Sequence, residues 1–170
     1  MKKRIFAVLF AAILMLCVAS TAFADDFEYV TDAAGLLTEY ERSELNAMAK
    51  EISERQQCGV FIVTVQDYRT IYKGDIDSCA EGFFDHYDLG MGSDRDGTLL
   101  LISTSTREFC HSAHGYGNVA FTDYGKDVMA DSYLRYLGND DWYNAFRDFL
   151  TSCDKLLKLL KVRLESLCIR

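Results

Sequence analysis

Two apolar runs constrain this chain more than any other feature. Gly59-Val60-Phe61-Ile62-Val63-Thr64-Val65 and Thr98-Leu99-Leu100-Leu101-Ile102-Ser103 are short and near-continuous, and the first is rich in β-branched residues. Neither alternates apolar with polar positions, so neither is a half-wet strand. A strand without alternation is buried on both faces, the mark of a parallel sheet covered by helices on each side. Between the runs, Asp75 to Asp88 sets Ile76, Cys79, Ala80, Phe83 and Tyr87 at helical spacing, which predicts a helix with those five turned inward. Strand, helix and strand in this order predict a parallel pair joined by a right-handed crossover.

The flanking segments extend the same frame. Residues 25–37 read as an extended entry. Thr38 and Glu41 have capping-box spacing, so a helix opens there. Leu45, Met48, Ala49 and Ile52 form its apolar stripe, and Gly59 is the expected stop. After the second run, Ser105-Thr106 predicts a tight turn, residues 107–114 an antiparallel return strand, and Gly115-Tyr116-Gly117 a glycine turn that ends it. A helix follows from about Asp123, with Val128, Met129, Ser132 and Tyr136 on one face. The last helix starts near Asp140 and carries Trp142, Ala145, Phe146, Phe149, Cys153, Leu156, Leu160 and Leu164 as one stripe. The expected class is α/β, a three-layer α/β/α sandwich on a small mixed β-sheet.

The start of the chain reads as an export signal. Lys2, Lys3 and Arg4 precede the apolar run Ile5 to Val18, and Ala22-Phe23-Ala24 is a small-x-small cleavage site. The expected cut falls after Ala24, giving a signal peptide over 1–24, a domain over 25–153 and a basic amphipathic tail over 154–170. The run is short for a membrane span, so a secreted or extracytoplasmic location without a transmembrane anchor is expected. Losing Lys2, Lys3 and Arg4 takes the formal net charge from −8 to −11. Such a chain repels phosphate backbones, which disfavours nucleic acid, and attracts cations or basic surfaces. Five cysteines follow the leader: Cys58, Cys79, Cys110, Cys153 and Cys168. No two form a CxxC, and their pairing stays open. In the tail, Lys155, Lys158, Lys161 and Arg163 alternate with leucines, a pattern that suits an anionic membrane or, more commonly, a core stripe with a snorkelling rim.

The loop Leu89 to Gly97 holds the most informative chemistry. It places Asp94 and Asp96 beside three glycines at the mouth of a buried strand. Two carboxylates at i and i+2 can converge on a hard cation. The loop is no EF-hand, because Ser103 stands where the closing glutamate belongs. Asp94-Arg95-Asp96-Gly97-Thr98 also spells DxDGT, the nucleophile motif of haloacid-dehalogenase-type phosphatases. That motif must follow its strand, and here the strand follows the motif. If residues 98–103 and 107–114 pair as a hairpin, Gly115 and Gly117 return to the level of Gly97. Asp123, or Thr122 as a plain helix cap, stands close by in sequence. Asp32 is a further candidate ligand or an Asx-type turn before Gly35. His111 and His114 lie three apart on a strand and so face opposite sides, which excludes joint chelation. His86 sits late in its helix, where it suits the dipole. Arg95 and Arg107 are the cations nearest to the acidic loop in sequence. No GxSxG, HExxH, CX5R or Walker pattern appears.

Taken in order, Val30-Thr31-Asp32-Ala33-Ala34-Gly35-Leu36-Leu37, Val60 to Val65, Asp96 to Ser103 with Arg107, and Gly115-Tyr116-Gly117 with Phe121-Thr122-Asp123 resemble the TPM domain family. That family is named for a thylakoid lumen protein, a photosystem II repair protein and an acetylcholine-receptor modulator. The likeness spans about residues 28 to 153 and looks like the bacterial, Firmicutes-type branch. It implies an α/β/α fold facing an extracytoplasmic space. It further implies a calcium site in an acidic loop cluster (magnesium being the poorer fit), and either an accessory, modulatory role towards a membrane or cell-envelope partner or an acid phosphatase activity on small phosphate esters. The positions carried over are Asp32, Asp96 and Asp123 as metal ligands, Asp94 more loosely, and Gly97, Gly115 and Gly117 as shapers of the loops. Asn118 and Val119 stand where many members have an acidic residue after the second glycine. The expected function is an exported accessory binding module with a calcium site. A metal-assisted phosphatase is the alternative, although no nucleophile motif is recognisable, and a metal-free interaction module is the third reading.

Overall fold

A computed structural model describes residues 27–168; the expected leader and its cleavage site lie outside the described residues. The strands are β1 (Val30–Asp32), β2 (Gly59–Val65), β3 (Gly97–Ser103) and β4 (Glu108–His114), and the helices are α1 (Glu39–Gln56), α2 (Ile76–His86), α3 (Tyr116–Ala120), α4 (Asp123–Leu137) and α5 (Trp142–Cys168). The sheet order is β1-β2-β3-β4. The first three strands are parallel and β4 is antiparallel. Among the described residues no helix is long and apolar enough to cross a membrane.

Every residue of β2 and β3 is buried, as their unbroken apolar character requires. One face, through Val60, Ile62, Leu100 and Ile102, packs against α1, α4 and α5. The other, through Phe61, Val63, Leu99 and Leu101, packs against α2. The sandwich is therefore three layers deep.

The expected parallel pair β2–β3 is present, joined through α2. Both parallel connections step the same way across the sheet, from β1 to β2 to β3, yet α1 and α2 cover opposite faces. Two such connections have opposite hands, so the right-handed rule holds for only one of them.

Helix starts follow the cap chemistry. The Thr38 hydroxyl accepts the Glu41 amide at 3.3 Å while Glu41 accepts the Thr38 amide at 2.8 Å. Asp75 accepts the Ser78 amide and Thr122 the Gly125 amide. Other details differ from expectation. α1 ends at Gln57, in the left-handed region at φ +56°, and Gly59 is already the first residue of β2. In α2 the fully buried aromatic is Phe84, whereas Tyr87 is exposed. In α4 Met129 and Tyr133 face the core and Val128 faces out. In α5 Leu157 is buried while Leu164 is exposed. Gly115-Tyr116-Gly117 opens the short helix α3 rather than forming a plain turn.

Candidate functional site

The sheet has two edges with different chemistry. At the amino edge, where β2 and β3 begin, the loop before β3 closes on itself through Met91 and Asp96, whose amides and carbonyls bond reciprocally at 2.9 Å. The Asp96 carbonyl also accepts the Gly59 amide at 2.9 Å. Its carboxylate Oδ1 accepts the Tyr116 amide at 2.5 Å and so anchors the start of α3. The glycines here allow close approach. A Cβ on Gly115, at φ +53°, would stand 2.2 Å from Asp96 Oδ1, and one on Gly117 would stand 2.2 Å from the Gly97 carbonyl oxygen. Arg95 is spent locally: it pairs with Asp85 at 3.0 Å and bonds the carbonyls of Phe84 and Leu89. Asp94 is exposed.

At the carboxyl edge, Asp32 ends β1. Its Oδ2 accepts the Leu37 amide at 2.9 Å and its Oδ1 accepts the Thr64 hydroxyl. Asp32 thereby closes the loop that delivers Leu36 to a cleft of about 530 Å³. The end of β3, the β3–β4 turn, the end of α4 and the start of α5 form the remaining walls. Ile102, Leu134, Leu137 and Trp142 supply an apolar floor, and Arg107, Glu108 and Asp140 a polar rim. The Arg107 guanidinium is exposed and forms no ion pair among the described residues. Its backbone sits at φ +58°, where a glycine would be the cheap choice. The volume suits a small ligand or a peptide segment, and the carboxyl ends of parallel strands are where open α/β sheets bind ligands.

The four expected metal ligands are not brought together. Asp32 is level with Thr64 on β2, and Asp96 precedes Gly97, which is level with Gly59. Five residues of extended chain separate those levels, about 17 Å. Asp123 sits exposed in the first turn of α4, where Thr122 is the cap. Among the described residues no group of three or more His, Cys, Asp or Glu can hold a metal ion. Asp32 and Asp96 therefore cannot share one cation, and both spend carboxylate oxygens on backbone amides. Gly97, Gly115 and Gly117 do shape the loops. Arg107 lies at the edge opposite Asp96, so it cannot serve an anion held there. The cleft went unread in the sequence; its one legible trace is Arg107 closing a hairpin turn.

His111 and His114 face opposite sides. His114 stacks on Phe84 and bonds Glu81 at 2.6 Å. His111 is half-buried against Phe121 and Phe149. The Thr98 hydroxyl gives its proton to the Ser112 carbonyl, so His111 Nε2 is the donor to Thr98 Oγ1 at 2.8 Å. Its Nδ1 is then a buried acceptor without a hydrogen bond, and burial pushes the imidazole down to about 3. Cys58, Cys79, Cys110 and Cys153 are buried free thiols. Burial pushes Cys58 up to about 12 and raises the other three.

Solved structures with this architecture include domains of low sequence likeness. The N-terminal domain of a protein from P.gingivalis superposes with a TM-score of 0.67 at 16% identity, covering 79% of this chain and 84% of its own. The N-terminal domain of the cg2496 protein from Corynebacterium glutamicum gives 0.59 at 15% identity, with 81% and 83% covered. The BA42 protein from Bizionia argentinensis gives 0.60 at 12% identity, with 71% and 81% covered. These likenesses establish the fold. No curated protein sequence matches the chain. The family model for the TPM domain matches residues 30–156, three quarters of the sequence, and the chain belongs to the TPM domain family.

Proposed function

We propose that this TPM-domain chain is an extracytoplasmic binding module that holds an acidic, partly apolar segment of a membrane or cell-envelope partner in the carboxyl-edge cleft. The observation that carries the reading is Arg107, an unpaired guanidinium on a left-handed residue over an apolar floor. A guanidinium takes a carboxylate or phosphate in bidentate fashion, and the floor takes the apolar part of the same ligand. Binding suits the lining better than turnover. The Ser103 hydroxyl lies between the Gln66 carbonyl and the Tyr68 amide at 3.4 Å from each, and among the described residues no histidine or cysteine lines the cleft. A nucleophile with its base is therefore lacking there.

Trp142 is the sole tryptophan of the chain and lines the cleft, which makes it a built-in reporter. Titration with N-acetyl-leucyl-glutamate and with phenyl phosphate is expected to change its emission saturably. Arg107→Ala should abolish the change and Arg107→Lys should keep part of it. An emission that never responds, or that responds equally in Arg107→Ala, contradicts the reading. Release of phenol from phenyl phosphate that disappears in Arg107→Ala would instead make the cleft a phosphatase site.

A further inference from the structure

Helix α5 outruns the domain that it helps to build. Its buried side chains end at Leu157, yet the helix continues to Cys168, roughly 16 Å further at 1.5 Å per residue. The arm leaves from the amino edge: Asp154 accepts a hydrogen bond from Gln56 at the end of α1, and Leu156 lies close to Gly125 at the start of α4. The i, i+4 row Leu156, Leu160, Leu164 prolongs the stripe that packs the core. Past Leu157 the domain covers it only in part: Leu160 is half-buried and Leu164 exposed, while Leu159 and Val162 lie on other faces of the arm. Leu159, Val162 and Leu164 are 66%, 58% and 41% exposed, and Val119 and Tyr124 at the same edge are 58% and 79% exposed. With Val128, these make six of the twelve exposed large apolar side chains among the described residues, all on the arm, α3 and α4.

Charge is divided in the same place. Residues 25–154 carry 25 acidic and 10 basic side chains, while residues 155–170 carry one acidic and five basic. The arm is thus cationic, and the rim beside its root, with Asp94, Asp96, Asp123 and Asp127, is anionic. A two-fold contact uses one patch on both copies, so the patch must contain both halves of its own complement. This pole does: it holds a basic apolar arm and an acidic rim studded with apolar side chains.

We propose that two copies of the chain pair about a two-fold axis at this pole. The arms pack antiparallel along Leu160 and Leu164 with Leu159 at the seam's flank, and Lys161 and Arg163 of each arm reach the acidic rim of the other copy. An anionic bilayer is the poorer occupant, because the rim around the arm's root would meet the lipid phosphates with like charge. The pairing does not depend on the cleft, which lies at the other edge of the sheet.

Sedimentation equilibrium of the purified chain from micromolar to submillimolar concentration tests it. A monomer–dimer equilibrium that loosens as salt is raised is the expected result. Leu159→Ser with Leu164→Ser changes only exposed groups and should weaken the dimer about tenfold or more at an unchanged melting temperature. Lys161→Glu with Arg163→Glu should weaken it likewise. Adding Asp123→Lys and Asp127→Lys to that variant should restore it, since both sides then carry reversed charge. A chain that stays monomeric over the whole range, or a dimer indifferent to the arm substitutions, overturns the proposal. So does a monomer that co-sediments with phosphatidylglycerol vesicles and not with phosphatidylcholine vesicles, which would assign the arm to a lipid surface.

Discussion

The Asp96 carboxylate and the Tyr116 amide meet at 2.5 Å across the amino edge of the sheet, and Gly115 makes that approach sterically feasible. Asp96→Ala leaves the first amide of α3 without its acceptor, which should cost about 1–2 kcal/mol. Gly115→Ala should cost more, roughly 2–4 kcal/mol. Its Cβ would meet both Asp96 Oδ1 and the Asp94 carbonyl, and its φ is one that L-residues rarely adopt. Denaturant unfolding measures both. Two variants as stable as the parent would show that this junction is not structural.

Calcium gives a second test. Because Asp32 and Asp96 stand at opposite edges and both bond backbone amides, calcium is expected to leave the melting temperature unchanged. A ligand that prefers the native state must raise it. A calcium-dependent rise that Asp32→Asn or Asp96→Asn removes would contradict this geometry.

His111 predicts a stability that falls in mild acid. The unfolded imidazole takes a proton near 6.5, while burial, aided by Lys126, holds the folded one down to about 3. Between those values the unfolded chain binds more protons, so stability rises with pH there and is lost as pH falls from 6.5 towards 3. The slope attributable to one such group approaches ~1.4 kcal/mol per pH unit. Unfolding free energies at several pH values should show a shallower slope for His111→Gln than for the parent. Parallel slopes would mean that His111 is not buried in its neutral form.

The four buried thiols should be inert in the native state. Only the thiolate reacts, and burial raises the Cys58 thiol to about 12. Iodoacetamide labelling read by peptide mass spectrometry should leave Cys58, Cys79, Cys110 and Cys153 unmodified until the chain is unfolded. Rapid native labelling at any of them would indicate an opening that the packing does not contain.

Legibility in the sequence followed how local each cause was. The strands at Val60 to Val65 and Thr98 to Ser103 were readable because burial on both faces removes all alternation, and Thr38 with Glu41 announced α1 through two local bonds. Phe84 was missed in favour of Tyr87 because the helix ends at His86, and the stripe was extrapolated past its stop. The helix at Tyr116 was hidden by its glycines, whose role is the approach of Gly117 to the Gly97 carbonyl, a contact between distant segments. The separation of Asp32 from Asp96 was legible in principle: one residue ends a strand and the other precedes a parallel strand, and those positions lie at opposite edges. The opposite hands of the two crossovers had no local signal at all. The cleft needed four chain segments to meet, and only Arg107 marked it.

The most direct test of the account compares Arg107→Ala with Asp96→Asn, side by side, for ligand-induced Trp142 emission and for melting temperature. Arg107→Ala is expected to lose the emission response at an unchanged melting temperature. Asp96→Asn is expected to keep the response while melting a few degrees lower, at about 2–4 °C per kcal/mol for a domain of this size. The reverse pattern, with the response lost in Asp96→Asn and kept in Arg107→Ala, would place the functional end at the amino edge and contradict the account.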